Sequence, residues 1–249
     1  MMGGNLIVII NIKNIDINYI QYGKGKDIVL LHGWGQNIEM MKFLGDKLNN
    51  CRVTILDLPG FGSSSIPTSE LNIYDYDEIL EEFIKNLKIK NPIIIGHSFG
   101  GRIGIIYASK NSIDKLVLLG SPCVRKEIDE SLKLKILKFM KRVPLVNKME
   151  EVAKKHIGSE DYKKASPMMR KVLVNTVNED LSDCAKYIDC PTLMIWGTND
   201  TAAPIEDARE LEKLIKDVGF IEYNGGSHYV YIERLDEVSN VINTFIRGE

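Results

Sequence analysis

The chain lacks most of the features that mark secreted, metal-held or membrane-spanning proteins. Its 249 residues include only four cysteines, Cys51, Cys123, Cys184 and Cys190. They form no C-x-x-C pair, and no histidine stands near them at zinc-ligand spacing. Neither a disulfide framework nor a metal site is expected, and the thiols read as idle groups in a reducing compartment. No stretch approaches the ~20 apolar residues needed to cross a bilayer. The opening Met1-Met2-Gly3-Gly4-Asn5 has no basic region, and the apolar run 6–10 is too short for a secretion signal. A cytoplasmic location and no membrane partner are therefore expected. The net charge is only −2. Lysines cluster in 125–155, but glutamates interleave with them, as on a solvated helix face. No nucleic-acid partner is expected.

The composition that remains is that of an ordinary folded protein, with 44% hydrophobic and 27% charged residues. The length suffices for one large core with a smaller attached piece. The most informative stretch is Ile93-Ile94-Ile95-Gly96-His97-Ser98-Phe99-Gly100-Gly101-Arg102. Three consecutive isoleucines predict a strand buried on both faces. Gly-x-Ser-x-Gly follows, and then an apolar helical run over 103–108. A serine on a sharp strand-to-helix turn sits in a strained conformation with its hydroxyl pushed above the sheet edge. The free N–H groups and positive dipole end of the next helix favour negative charge beside it.

In its Gly-His-Ser-Phe-Gly-Gly form, this stretch resembles the nucleophile elbow of the α/β-hydrolase family. Two further motifs fit that resemblance: His32-Gly33-Trp34-Gly35, and Asp57-Leu58-Pro59-Gly60-Phe61-Gly62-Ser63. The resemblance implies a mostly parallel central sheet flanked by helices. It also implies that the backbone N–H groups of Trp34 and Phe99 form an oxyanion hole, and that no cofactor is needed. His32 and Asp57 read as loop-bracing residues. The longer His-Gly-Gly-Gly of some lipases is missing, as are a P-loop lysine and G-x-G-x-x-G, so phosphate binding by the glycine loop is disfavoured.

Taken in order, the chain predicts strands over 6–12, 15–22, 27–31, 52–56, 93–95, 115–119, 192–195 and 220–223. The second alternates Ile15, Ile17 and Tyr19 with Asp16 and Asn18, which suits a half-exposed edge hairpin with the first. Helices are predicted over 40–48, 73–87, 202–216 and 235–246. From 123 to 186 strand-like runs vanish, and apolar residues recur at helical spacing in three segments. That region reads as a helical cap inserted between the core parts 1–122 and 187–249. Phe139 and Met140, on the first of these segments, are candidate pocket-lining residues. His156 reads as a surface or packing residue.

Ser98, Asp200 and His228 appear in the chain order nucleophile, acid, base, which the family resemblance implies for its triad. Each stands at the C-terminal end of a predicted strand, the edge where open α/β sheets bind ligands. His228 is the natural base, since an unperturbed imidazole titrates near ~6.5. Asp200 would fix its tautomer, with capping of the following helix as the plain alternative. The expected activity is that of a serine hydrolase working through an acyl-enzyme on small or medium esters or thioesters. A carbon–carbon hydrolase acting on meta-cleavage products is the alternative on the same triad, with Arg102 as the candidate cation for a ketoacid. A catalytically idle binding scaffold is the third reading. A haloalkane dehalogenase is disfavoured, because it needs a carboxylate where Ser98 stands. The expected partner is a small acyl substrate, for a monomer or homodimer.

Overall fold

Runs of isoleucine, valine and leucine bounded by glycine and polar turns assemble into one eight-stranded sheet. The computed structural model describes residues 8–124 and 165–248. Its strands are β1 (Val8–Ile12), β2 (Ile15–Gly23), β3 (Lys26–Leu31), β4 (Cys51–Leu56), β5 (Ile93–His97), β6 (Lys115–Leu119), β7 (Thr192–Gly197) and β8 (Val218–Tyr223). They lie in the order β1-β2-β4-β3-β5-β6-β7-β8. The β1/β2 and β2/β4 pairs are antiparallel and every other pair is parallel. The chain leaves β3 for β4 on one side, then crosses back to β5 on the other. That reversal opens a crevice beyond the carboxyl ends of β3 and β5, where a ligand meets no crossing connection.

Eight helices are described: α1 (Ile38–Gly45), α2 (Ile73–Asn86), α3 (Phe99–Lys110), α4 (Pro167–Val177), α5 (Ser182–Lys186), α6 (Ile205–Glu212), α7 (Val230–Glu233) and α8 (Leu235–Arg247). Alternation along each central strand divides its side chains between two cores. Ile94, Val29, Leu31, Leu116 and Leu118 face the layer containing α2, α3 and α6. Ile93, Ile95, Ile28, Leu30 and Val117 face the layer containing α1, α7 and α8. The triple isoleucine of β5 is thus buried on both sides, as the sequence predicted. Helix α2 starts on a capping box in which Asn72 and Asp75 exchange hydrogen bonds, satisfying two N–H groups the helix leaves free. Among the described residues, no helix is long and apolar enough to cross a membrane.

The antiparallel hairpin of β1 and β2 forms one edge of the sheet, as the alternation predicted, and Ile9 of β1 is 61% exposed. Two expectations need adjustment. Asn18, which alternation placed on the polar face of β2, is buried because its amide bonds the Asp57 carboxylate at 2.7 Å. The helix predicted over 202–216 is shorter, since Asp200 captures the Ala202 and Ala203 N–H groups in a turn ahead of it.

Of residues 123–186, those at 123–124 and 165–186 are described, and the second stretch contains α4 and α5. Pro167 opens α4, and Ser166 accepts the Met169 N–H. The helical segments expected over 132–143 and 149–157, with Phe139, Met140 and His156, lie outside the described residues.

Ile94 is fully buried between β3, β6 and the α3 layer. Ile94→Ala is expected to cost ~2–5 kcal/mol, read as a lower urea midpoint at unchanged slope.

Candidate active site

Three loops at the carboxyl edge of the sheet meet around the β3/β5 crevice. The first is the turn between β5 and α3. Ser98 sits there at φ 50°, ψ −111°, a conformation that L residues rarely adopt and that stores about 1–3 kcal/mol of strain. Its N–H donates to Leu119 O at 2.9 Å, and its carbonyl accepts the Arg102 N–H at 3.1 Å. A methyl group added at Gly100 would overlap the Leu31 carbonyl, and one at Gly96 would overlap the Gly101 backbone. Only hydrogen fits at both positions, so strand and helix close tightly enough to hold the serine in place. Among the described residues, the Ser98 hydroxyl has no hydrogen-bond partner.

The second loop follows β7. The Asp200 carboxylate is buried. Its Oδ1 accepts N–H bonds from Ala202 and Ala203 at 2.9 and 2.8 Å, and its Oδ2 accepts one from His228 Nδ1 at 2.7 Å. A carboxylate with these partners only accepts, so Nδ1 carries the imidazole proton and Nε2 is left as a base. The capping and tautomer-fixing roles considered for Asp200 coexist, one on each oxygen.

The third loop, after β8, carries His228. It is tied to the β7 loop by bonds from Thr198 N–H to Tyr223 O at 3.0 Å, Asn199 N–H to Gly226 O at 2.9 Å and Gly225 N–H to Thr198 Oγ1 at 2.9 Å. These links set the height of the imidazole relative to the carboxylate. Ser98 and His228 line one cavity of about 610 Å³, together with Trp34, Phe99 and Leu173 and Val177 of α4.

The loop after β3 completes the crevice. The rings of Trp34 and Phe99 meet edge to face at 5.3 Å, those of Trp34 and Phe61 at 4.8 Å, and those of Tyr76 and Phe99 at 5.0 Å. This aromatic cluster fixes the two loops that carry the Trp34 and Phe99 amides. Among the described residues, neither the Trp34 nor the Phe99 N–H has a partner. His32 is buried, donates from Nδ1 to Gly33 O at 2.7 Å and accepts the Leu58 N–H on Nε2 at 2.9 Å. Asp57 accepts the N–H groups of Ile38 and Ser63 and the Asn18 amide, all at 2.7–2.8 Å. Both brace their loops, as their motifs suggested.

Arg102 requires a correction. It lines the cavity, yet its Nη1 donates to Pro122 O at 2.9 Å and its Nη2 to Thr176 O at 3.1 Å and Glu179 O at 2.6 Å. Of its other N–H groups, Nε is buried and has no partner among the described residues. The guanidinium thus pins the α4–α5 connection and the loop after β6 to α3; no terminal nitrogen is left wholly free for a substrate carboxylate. Two residues at the site escaped the sequence reading, His97 and Gln36. The signal for His97 was present: an imidazole ends an otherwise all-apolar buried strand.

Burial holds His32 down to about 4 and His97 down to about 3, against an ordinary value near 6.5. Both are neutral in the folded chain and take up a proton on unfolding below about pH 6.5. Stability is therefore full above that value. It falls as pH drops toward the two folded values, by about 1.4 kcal/mol per pH unit for each histidine. Urea unfolding between about pH 7 and about pH 5 is expected to show this decline, and His32→Asn to remove about one proton's share of the slope.

Comparison with known proteins points the same way as the geometry. A sequence model of the alpha/beta hydrolase fold matches residues 27–148. The chain is 27% identical over 250 residues to the AB hydrolase superfamily protein YisY of Bacillus subtilis, covering 90% of this chain and 92% of that protein. It is 24% identical over 249 residues to a pimeloyl-[acyl-carrier protein] methyl ester esterase of Aliivibrio fischeri, covering 90% and 95%. The solved esterase of Exiguobacterium antarcticum superposes with a TM-score of 0.78 at 20% identity, over 97% of this chain and all of that one. With the mostly parallel sheet, the strained turn after β5 and the loops that face it, these matches show that the chain has the α/β-hydrolase fold.

Proposed function

We propose that this α/β hydrolase is a serine carboxylic ester hydrolase with Ser98, Asp200 and His228 as its catalytic triad. The observation that carries the reading is the convergence of a strained, unpartnered serine and a carboxylate-oriented histidine on one cavity. In the first step, His228 Nε2 takes the Ser98 proton as Oγ attacks the substrate carbonyl carbon. The Trp34 and Phe99 N–H groups hold the tetrahedral oxyanion, and each such donor is worth about 3–4 kcal/mol. Collapse of the intermediate expels the alcohol or thiol, which takes the proton from His228. Water, deprotonated by the same imidazole, then releases the acid and restores Ser98.

The cavity volume and its apolar cap side, Leu173 and Val177, suit a small or medium acyl group. A relative named for an ester of an acyl-carrier protein supports an acyl substrate without naming the one used here. The carbon–carbon hydrolase reading asks for a cation facing a ketoacid carboxylate. Arg102, the residue first considered for that task, has its terminal nitrogens committed to backbone carbonyls. The ester reading is therefore preferred. The region 123–186 is proposed to be the cap that shapes this choice.

A panel of nitrophenyl esters and acyl thioesters of graded chain length, with a meta-cleavage product as the contrasting substrate, tests the reading. Turnover of the esters is expected, with Ser98→Ala lowering kcat by about 10⁴-fold or more and Asp200→Asn by about 10⁴-fold. A fluorophosphonate label is expected on Ser98 alone. Labelling elsewhere, or turnover of the meta-cleavage product only, would overturn it.

A further inference from the structure

The residue before the nucleophile, His97, has a side chain that the proposed chemistry does not use. It is fully buried at the end of β5, directly beneath the candidate base. Its ring centroid lies 4.7 Å from that of His228, 4.7 Å from Tyr231 and 5.5 Å from Tyr229. Its two nitrogens reach two different loops. Nε2 stands 3.0 Å from the backbone oxygen of His228, and Nδ1 stands 3.2 Å from Oε1 of the Gln36 side-chain amide. That amide in turn receives the Gly33 N–H at 3.2 Å, one residue before the Trp34 amide.

The roles of these atoms follow from the donor inventory. A backbone carbonyl only accepts, so Nε2 carries the proton and Nδ1 is left with a lone pair. Burial keeps the ring from taking a second proton, so both contacts depend on a neutral imidazole in one tautomer. The Gln36 amide then faces a choice. Both 3.2 Å separations are to its Oε1, which in that orientation accepts the Gly33 N–H and offers Nδ1 no proton; turned over, its NH₂ donates to Nδ1 and ties Gln36, itself part of the loop after β3, to His97.

We infer that His97 is a positioning residue that ties the loop carrying the base to the loop carrying an oxyanion donor, through His228 O on one side and Gln36 on the other. The inference rests on the triad reading above. Its physical content is that the height of His228 over Ser98 and the tilt of the Trp34 peptide share one buried imidazole. A shift of about 1 Å at either point costs on the order of 100-fold in rate, because the groups act only in near-attack geometry.

The test compares three folded variants on one nitrophenyl ester. His97→Phe keeps the ring stack and removes both polar contacts. It is expected to lower kcat by about 10- to 100-fold with KM changed less than about threefold. His97→Gln, whose amide NH₂ can reach the position of Nε2, is expected to recover most of that loss. Gln36→Met breaks only the oxyanion-side contact and is expected to fall between the two. Thermal melts establish that each variant is folded, and if His97→Phe is not, the other two carry the test. The acid limb of the kcat/KM profile is expected to move in His97→Phe but not in Gln36→Met. Unchanged kcat in folded His97→Phe, a loss confined to KM, or no recovery in His97→Gln would overturn the inference. Loss of the triad reading itself would show separately, as Ser98→Ala turning over the same ester at the wild-type rate.

Discussion

The close approach of β5 to α3 is the constraint from which the site follows. A serine at positive φ is unfavourable by itself and persists only where its surroundings allow nothing else. Here those surroundings are the hydrogen-only positions at Gly96 and Gly100, the Leu119 carbonyl on the neighbouring strand and two cores that clamp β5 from both faces. The buried isoleucines are thus the mechanical support of the turn. Folding free energy supplied by apolar burial is held locally as backbone strain, and the strain aims the hydroxyl.

The polar groups around this turn sort into two kinds. His32, His97 and Asp57 are buried with their capacity committed to neighbouring backbone or amide groups. Each fixes a loop and leaves nothing for a ligand. Among the described residues, the Ser98 hydroxyl, His228 Nε2 and the Trp34 and Phe99 amides have no partner, and all four residues line the cavity. That division separates a rigid frame from groups able to react, and it is the physical basis for assigning roles. Arg102 belongs to the frame. The buried guanidinium is solvated by three carbonyl dipoles, and those carbonyls join the α4–α5 connection and the loop after β6 to α3.

Much of this was legible along the chain. The strands of the sheet centre are buried on both faces, so their signal is continuous apolar sequence, and 115–119 came out to the residue. Boundaries failed where a side chain competed with backbone hydrogen bonding. Asp200 shortened α6 from its start, and Asn18 turned inward because Asp57 offered its amide a buried partner. Neither effect has a local periodicity to betray it, since each is a contact between residues distant in sequence.

By itself, the sequence determined the strand order of types, the elbow motif and the identity of the three proposed catalytic residues. Those features rest on local chemistry: apolar runs, glycines at fixed offsets and polar residues at strand ends. Only the tertiary structure decided which polar groups are committed and which are free. It set Arg102 among carbonyls and placed both edges of His97 against two loops. Hydrogen-bond capacity is exhausted or spared by partners tens of residues away, and that allocation exists only once the chain has closed on itself.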